Sequence, residues 1–180
     1  MRLALAVILA VALAGCGANI RTWHGMPGPI EPDAILPVSN WAGTPVLVED
    51  GRARPTGPTA TLWVDRGLTW DGYLSAVVRE TRAALLHALG PARAEGDTAL
   101  RVVIRENVAR FVAPNWVGTT VLDAEALRRG VPMGQRWTAR AEQIRWNWNG
   151  YATARLASQR ACEAALKDLL RQLALSRPTP

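Results

Sequence analysis

The chain has 180 residues and a formal net charge of +6, from 21 Lys and Arg against 15 Asp and Glu. That length accommodates one compact domain with a tether. The cations are spread along the chain without a run, which argues against a nucleic-acid-binding stripe, and Lys167 is the only lysine.

Arg2 precedes an unbroken apolar run over residues 3–13, and Leu13-Ala14-Gly15-Cys16 then sets small residues directly before a cysteine. The run is long enough for a signal-peptide core and well short of the ~20 residues a membrane span needs. Small side chains at Ala14 and Gly15 let an extended strand enter a peptidase cleft. The pattern resembles the lipobox of bacterial lipoprotein precursors. The resemblance implies a signal peptide over 1–15, cleavage before Cys16, a lipid on the Cys16 sulfur and an acylated new amino terminus. An ordinary signal peptide with an incidental cysteine, or an uncut anchor, is the alternative. Each buried methylene of an acyl chain contributes about 0.8 kcal/mol, so several chains on one residue hold the protein to a membrane effectively permanently. Gly17 and Ala18 follow the cysteine. In enterobacterial lipoproteins an aspartate there implies inner-membrane retention. Its absence points to the outer membrane, facing the periplasm.

Residues 16–58 read as the acylated cysteine and a tether. Seven of the chain's 12 prolines lie there (Pro27, Pro29, Pro32, Pro37, Pro45, Pro55 and Pro58), a density that opposes helix and central strand. Trp23, Ile35, Trp41 and Val46-Leu47-Val48 give the segment an apolar character that allows parts of it to lie across a folded body. The folded domain is expected over 59–175, with a frayed end at 176–180.

Within the domain, residues 60–65 read as a strand. A helix capped by Asp71 or Thr69 runs to Leu89, with Leu74, Val77, Val78, Thr81, Ala84, Leu85, Ala88 and Leu89 on one stripe and Gly90-Pro91 to end it. Residues 98–105 alternate as a half-buried strand, with Leu100, Val102 and Ile104 on one side and Arg101 and Arg105 on the other. Phe111 has the opposite parity from Ile104, so Asn107 marks a bulge or register change. A loop through Pro114-Asn115 and a short strand over 119–122 follow, then a helical turn over 123–130 capped by Asp123. Residues 136–148 read as a second long strand. Its apolar parity switches from Trp137, Ala139 and Ala141 to Ile144, Trp146 and Trp148, which predicts another bulge. After an Asn149-Gly150 turn, a helix over 153–175 carries Cys162, Ala165, Leu166, Leu169, Leu170 and Leu173 on its stripe. Glu163 and Lys167 fall on its polar side as an i,i+4 pair. The expected architecture is α+β: a two-layer sandwich of two amphipathic helices on one face of a small, mostly antiparallel sheet.

The residues for common chemistries are sparse. His24 and His87 share no metal-ligand spacing with each other or with Cys162, so neither metal nor cofactor is expected. Cys162, left without an intramolecular partner, reads as a small core hydrophobe. Ser39, Ser75, Ser158 and Ser176 stand in no nucleophile-elbow context, and there is no phosphate-binding glycine loop. Glu106 and Glu142, on or near strands, form an acid/base pair only if they face one cleft, and as surface charges they need no such role. The oddity is eight tryptophans against one phenylalanine and two tyrosines. Trp137, Trp146 and Trp148 cluster on one strand, with Trp63, Trp70 and Trp116 elsewhere. They either fill a core or form an exposed platform for a glycan, a lipid or a protein partner. In the second case Trp137, Arg145, Trp146 and Trp148 are the candidate binding residues, with Asn147 between the last two indoles.

The lipobox, the proline-rich tether and the strand–helix–strands–helix order look like those of small α+β envelope lipoproteins: the accessory lipoprotein of lipopolysaccharide assembly and the auxiliary lipoproteins of lipid-trafficking ABC transporters. The resemblance implies a lipid-anchored accessory protein that acts on an envelope partner by binding, without catalysis. A glycan- or lipid-binding module using the tryptophans and an envelope hydrolase using Glu106 and Glu142 are the competing readings.

Overall fold

The computed structural model describes residues 22–23, 30, 35–52, 70–92 and 97–176. The signal peptide, Cys16, His24, the strand expected over 60–65 and the last four residues lie outside them. The elements are β1 (Thr22–Trp23), a 3-10 helix (Ser39–Trp41), β2 (Val46–Asp50), α1 (Trp70–Leu89), β3 (Thr98–Val112), β4 (Asn115–Arg128), β5 (Val131–Trp146) and α2 (Gly150–Ala174). β3, β4 and β5 form an antiparallel meander. β1 and β2 both lie along the free edge of β3, β1 antiparallel opposite Arg110 and Ala109, β2 parallel opposite residues 100–104. The expected α+β class holds. The sheet is mixed, since the β2–β3 pairing is parallel.

Both helices bury their stripes against the same sheet face. Val77, Leu85 and Leu89 of α1 and Leu166, Leu169 and Leu173 of α2 join Leu100, Val102, Ile104, Leu122, Ala124 and Ala139 in one cluster. α1 stops at Leu89, with Gly90 and Pro91 beyond it as the sequence predicts. Cys162 is buried in the same cluster. Burial pushes its thiol up to about 12, so it stays protonated at any ordinary pH. Glu163 departs from its expected place. It is buried and accepts a hydrogen bond from Arg160 at 2.7 Å, with no pairing to Lys167.

The predicted register change in β3 falls between Ile104 and Glu106. One extra residue there reverses the parity. Leu100, Val102 and Ile104 face the helices before it; Asn107, Ala109 and Phe111 face them after it. Asn107 thereby enters the core, and its amide is satisfied at both ends. Its Nδ2 donates to Thr120 Oγ1 at 2.9 Å, and its Oδ1 accepts from Ser158 Oγ of α2 at 2.8 Å. A few residues along, α2 presses so close that a Cβ at Gly118 would lie 2.1 Å from the carbonyl oxygen of Ala157, so only glycine fits.

Three expectations are corrected. Residues 123–130 form no helical turn: β4 is continuous to Arg128, and Arg129-Gly130, with φ of 50° and 79°, makes the two-residue hairpin loop. Local helix propensity in Asp123-Ala124-Glu125-Ala126-Leu127 loses to pairing on both sides. Ala124 and Ala126 enter the core, while Asp123 and Glu125 meet arginines on the other face. The second bulge is absent from the Trp137–Trp148 stretch, because pairing runs unbroken from Asn115↔Trp146 to Glu125↔Arg136 and the register shifts only beyond it. The segment read as tether also contributes to the body. Ile30, Ile35, Val38, Trp41 and Val48 belong to the core cluster.

That last segment works as a clip on the C-terminal ends of both helices, where the final carbonyls have no partner inside the helix. The backbone N–H of Val38 donates to Ala88 O at 2.9 Å and that of Gly43 to Leu89 O at 2.7 Å. Trp41 Nε1 donates to Leu173 O at 3.0 Å, and Asn40 Nδ2 to Ala174 O at 2.8 Å. Trp41 is fully buried and meets Trp137 edge-on, with ring centroids 5.3 Å apart. No helix among the described residues is long and apolar enough to cross a membrane.

Candidate functional site

Strand parity separates the four residues proposed to bind. Trp137 faces the helices and packs on Trp41. Arg145 is exposed on the opposite side of β5 from Trp146. Trp146, the last residue of β5, lies on the outer face and is 53% exposed; Trp148, just beyond, is 85% exposed. Their ring centroids are 6.3 Å apart at an interplanar angle of 54°. The structure therefore brings Trp146 and Trp148 together and gives Trp137 to the core.

Two residues that the sequence reading did not include stand with them. Val112, at the end of β3, lies in the same cross-strand row as Asn115 and Trp146 and is 59% exposed. Ile144, two residues before Trp146 on the same face, is 65% exposed. The signal for Val112 was legible: if Phe111 points inward, its neighbour must point out. Together the four side chains form an apolar cap at the end of the body where the β3–β4 hairpin turns through Ala113-Pro114.

The cap has a firm seat. Asn147 N donates to Pro114 O at 3.2 Å, and Asn147 Oδ1 accepts from Trp116 Nε1 at 3.2 Å. Trp116 is buried and stacks obliquely on Phe111, ring centroids 5.4 Å apart. Asn149 N donates to Thr153 Oγ1 at 3.1 Å and Trp148 N to Trp146 O at 3.0 Å. The loop bearing the indoles is thus tied to the hairpin on one side and to the start of α2 on the other.

Beyond the cap, the outer face of the sheet is a lattice of opposite charges. Arg101 bridges Glu49 at 2.6 Å and Glu125 at 2.9 Å, and Arg105 holds Asp123 at 2.8 Å. Glu106 pairs with Arg110, and Glu142 with Arg140 at 2.9 Å. Both carboxylates considered for acid/base work are therefore already engaged by arginine. The hydrogen bond from Arg101 holds the Glu49 carboxyl below the ordinary carboxylate range. At Asp123 partial burial works to raise the value, and hydrogen bonds from Arg105 and Thr138 with the Arg105 charge outweigh it, so the carboxyl is lowered. Among the described residues no three His, Cys, Asp or Glu side chains gather as a metal site requires.

No family model matches the chain, and no curated protein matches it. Among solved structures it is similar to a Xanthomonas campestris protein of the DUF330 family, at 15% identity and a TM-score of 0.48, covering 78% of this chain and 90% of that one. It is similar to a protein of Caulobacter crescentus named as a candidate lipoprotein, at 19% identity and a TM-score of 0.41, covering 70% and 88%. A minor lipoprotein of Acinetobacter baumannii matches at 12% identity and a TM-score of 0.40, covering 77% and 98%. Likeness at this level assigns no function to the chain.

Proposed function

We propose that this protein is a lipid-anchored accessory protein of the bacterial envelope, facing the periplasm from the outer membrane, and that it acts by binding, without catalysis. The observation that carries the reading is the cap. Of the nine large apolar side chains exposed among the described residues, Val112, Ile144, Trp146 and Trp148 stand at one end of the sheet. A concentration of exposed apolar side chains of this kind marks a contact surface. The ion pairs at Glu106 and Glu142 support the non-catalytic part, because each carboxylate already has an arginine as its partner. The Leu13-Ala14-Gly15-Cys16 motif supports the anchor. The acyl chains confine the domain to a membrane surface and so raise its effective concentration for an envelope assembly or transport partner.

The test is complementation of a deletion strain's envelope defect with variants expressed at equal level. The Glu106→Gln/Glu142→Gln chain restores function fully, whereas Cys16→Ser and Trp146→Ala/Trp148→Ala do not. Loss of function in the double glutamine chain, with its fold intact by circular dichroism, would overturn the reading in favour of a hydrolase. Retention of soluble glycan by the purified domain, abolished at Trp148→Ala, would transfer the cap to the glycan-binding alternative.

A further inference from the structure

We infer that the cap of Val112, Ile144, Trp146 and Trp148 rests on the bilayer that holds the anchor, so that the domain stands on its hairpin end. The inference rests on the anchored reading above and names what its exposed end touches.

Chain geometry argues for this end. β1 pairs antiparallel with β3, Thr22 opposite Arg110 and Trp23 opposite Ala109. Going backward along β1 therefore means going forward along β3, toward Val112 and the hairpin turn. The chain leading from β1 to Cys16 starts out in the direction of the cap. Cys16 stands six positions before Thr22, and at full extension that stretch spans at most roughly 20 Å. Thr22 lies in the row of Arg110 and Val117, eleven residues of β4 before Arg128, so the opposite end of the sheet, at the Arg129-Gly130 turn, is about 37 Å away. An acylated Cys16 places the hairpin end within reach of the membrane and leaves the other end out of reach.

Composition at that end fits a lipid surface. The two stretches that converge there, residues 111–118 and 143–155, contain no Asp or Glu and hold Arg145 and Arg155. Arg145 is exposed on β5, on the side opposite Trp146, and Arg155 is exposed in the second turn of α2 next to the exposed Leu156. Indoles with basic neighbours suit the boundary between acyl chains and anionic headgroups, where a tryptophan sits with its ring in apolar surroundings and its N–H wet. The acidic groups of the outer face begin farther back, with Glu106 and Glu142. Standing on the cap turns the arginine–carboxylate lattice sideways to the membrane, free for a protein partner.

The test uses full-length acylated protein on vesicles of phosphatidylethanolamine and phosphatidylglycerol. An environment-sensitive fluorophore is attached at Ile144→Cys or, in a second preparation, at Val131→Cys. Both sites lie on β5 and both are 65% exposed, and the buried Cys162 thiol does not compete for the label. The expected result is blue-shifted, severalfold brighter emission at position 144, quenched by spin-labelled acyl chains, with no change at 131. Trp146→Ala/Trp148→Ala in the 144-labelled chain reduces the quenching. Mass spectrometry of the same preparation reads the acyl groups on Cys16 independently. Acylated, vesicle-bound protein whose 144 label behaves like its 131 label overturns the inference while leaving the anchor standing. Protein without acyl groups overturns the anchored reading and this inference with it. Shielding of the 144 label in native envelopes but not on pure lipid assigns the cap to a protein instead, and overturns it equally.

Discussion

Two tryptophan pairs sit toward opposite ends of β5, and they are put to opposite uses. Trp41 and Trp137 meet edge-on inside the sandwich, with the Trp41 indole N–H bonded to the last turn of α2. Trp146 and Trp148 meet at 6.3 Å, a looser contact than the inner pair's 5.3 Å, and stand in solvent. One strand supplies a member to each, nine residues apart and therefore on opposite faces. The same side chain thus closes the fold at one end and is left uncovered at the other. Abundance of tryptophan says nothing about role; strand parity and the presence of a covering helix decide it.

The comparison can be broken most sharply at Trp41. Trp41→Ala removes a fully buried indole together with one of the donors to Leu173 O, and the expected cost is about 3–5 kcal/mol, read as a lower midpoint in urea denaturation. Trp148→Ala in the same assay stays within about 0.5 kcal/mol of the parent. A large loss at Trp148, or none at Trp41, would remove the distinction between the two pairs.

A smaller effect is expected at the point where the β3 bulge turns the chain inward. Asn107→Ala strands Ser158 Oγ and Thr120 Oγ1 beneath α2, each buried and deprived of its partner. The expected loss is about 1–3 kcal/mol, with faster amide exchange in the middle of α2. Asn107→Ala combined with Ser158→Ala recovers part of it, because one stranded group is gone. Equal stability of the two variants would mean that the hydrogen-bond chain is not what joins helix to sheet there.

The smallest effect concerns the outer lattice. Glu49 and Asp123 have carboxyls lowered below their ordinary values. Their contribution is fully present above the unfolded-state values, near pH ~4, and is lost as pH falls through the lower folded values. Stability should therefore decline on acidification below that point, and Glu49→Gln/Asp123→Asn should flatten the decline. An unchanged acid slope in that variant would show the lattice to be inert toward folding.

What the sequence disclosed and what it hid divide along the same line between local and distant. The stripes of α1 and α2, the glycine stop after Leu89 and the parity reversal at Asn107 follow from periodicity within a single element. The clip does not, since Trp41 finds its acceptor 132 residues away and its proline-rich surroundings argue locally for a tether. The strand over Asp123 to Arg128 was hidden for a related reason: arginines on β2's neighbour β3 and on β5 make its carboxylates welcome on a sheet face, and no local signal announces them. At the cap, the parity switch after Ala141 is visible in the sequence, where it predicts a bulge. The pairing of β5 with β4 continues straight through, so the switch marks instead where covering stops.

The most direct measurement of the central claim, that the cap is a contact surface and not a part of the fold, is hydroxyl-radical footprinting of the tryptophans in purified protein and in intact envelopes. In the purified domain Trp146 and Trp148 should oxidise fast and Trp41 slowly. In envelopes Trp146 and Trp148 should become protected while Trp41 is unchanged. Oxidation of both cap indoles at the same rate in the two settings would contradict the account.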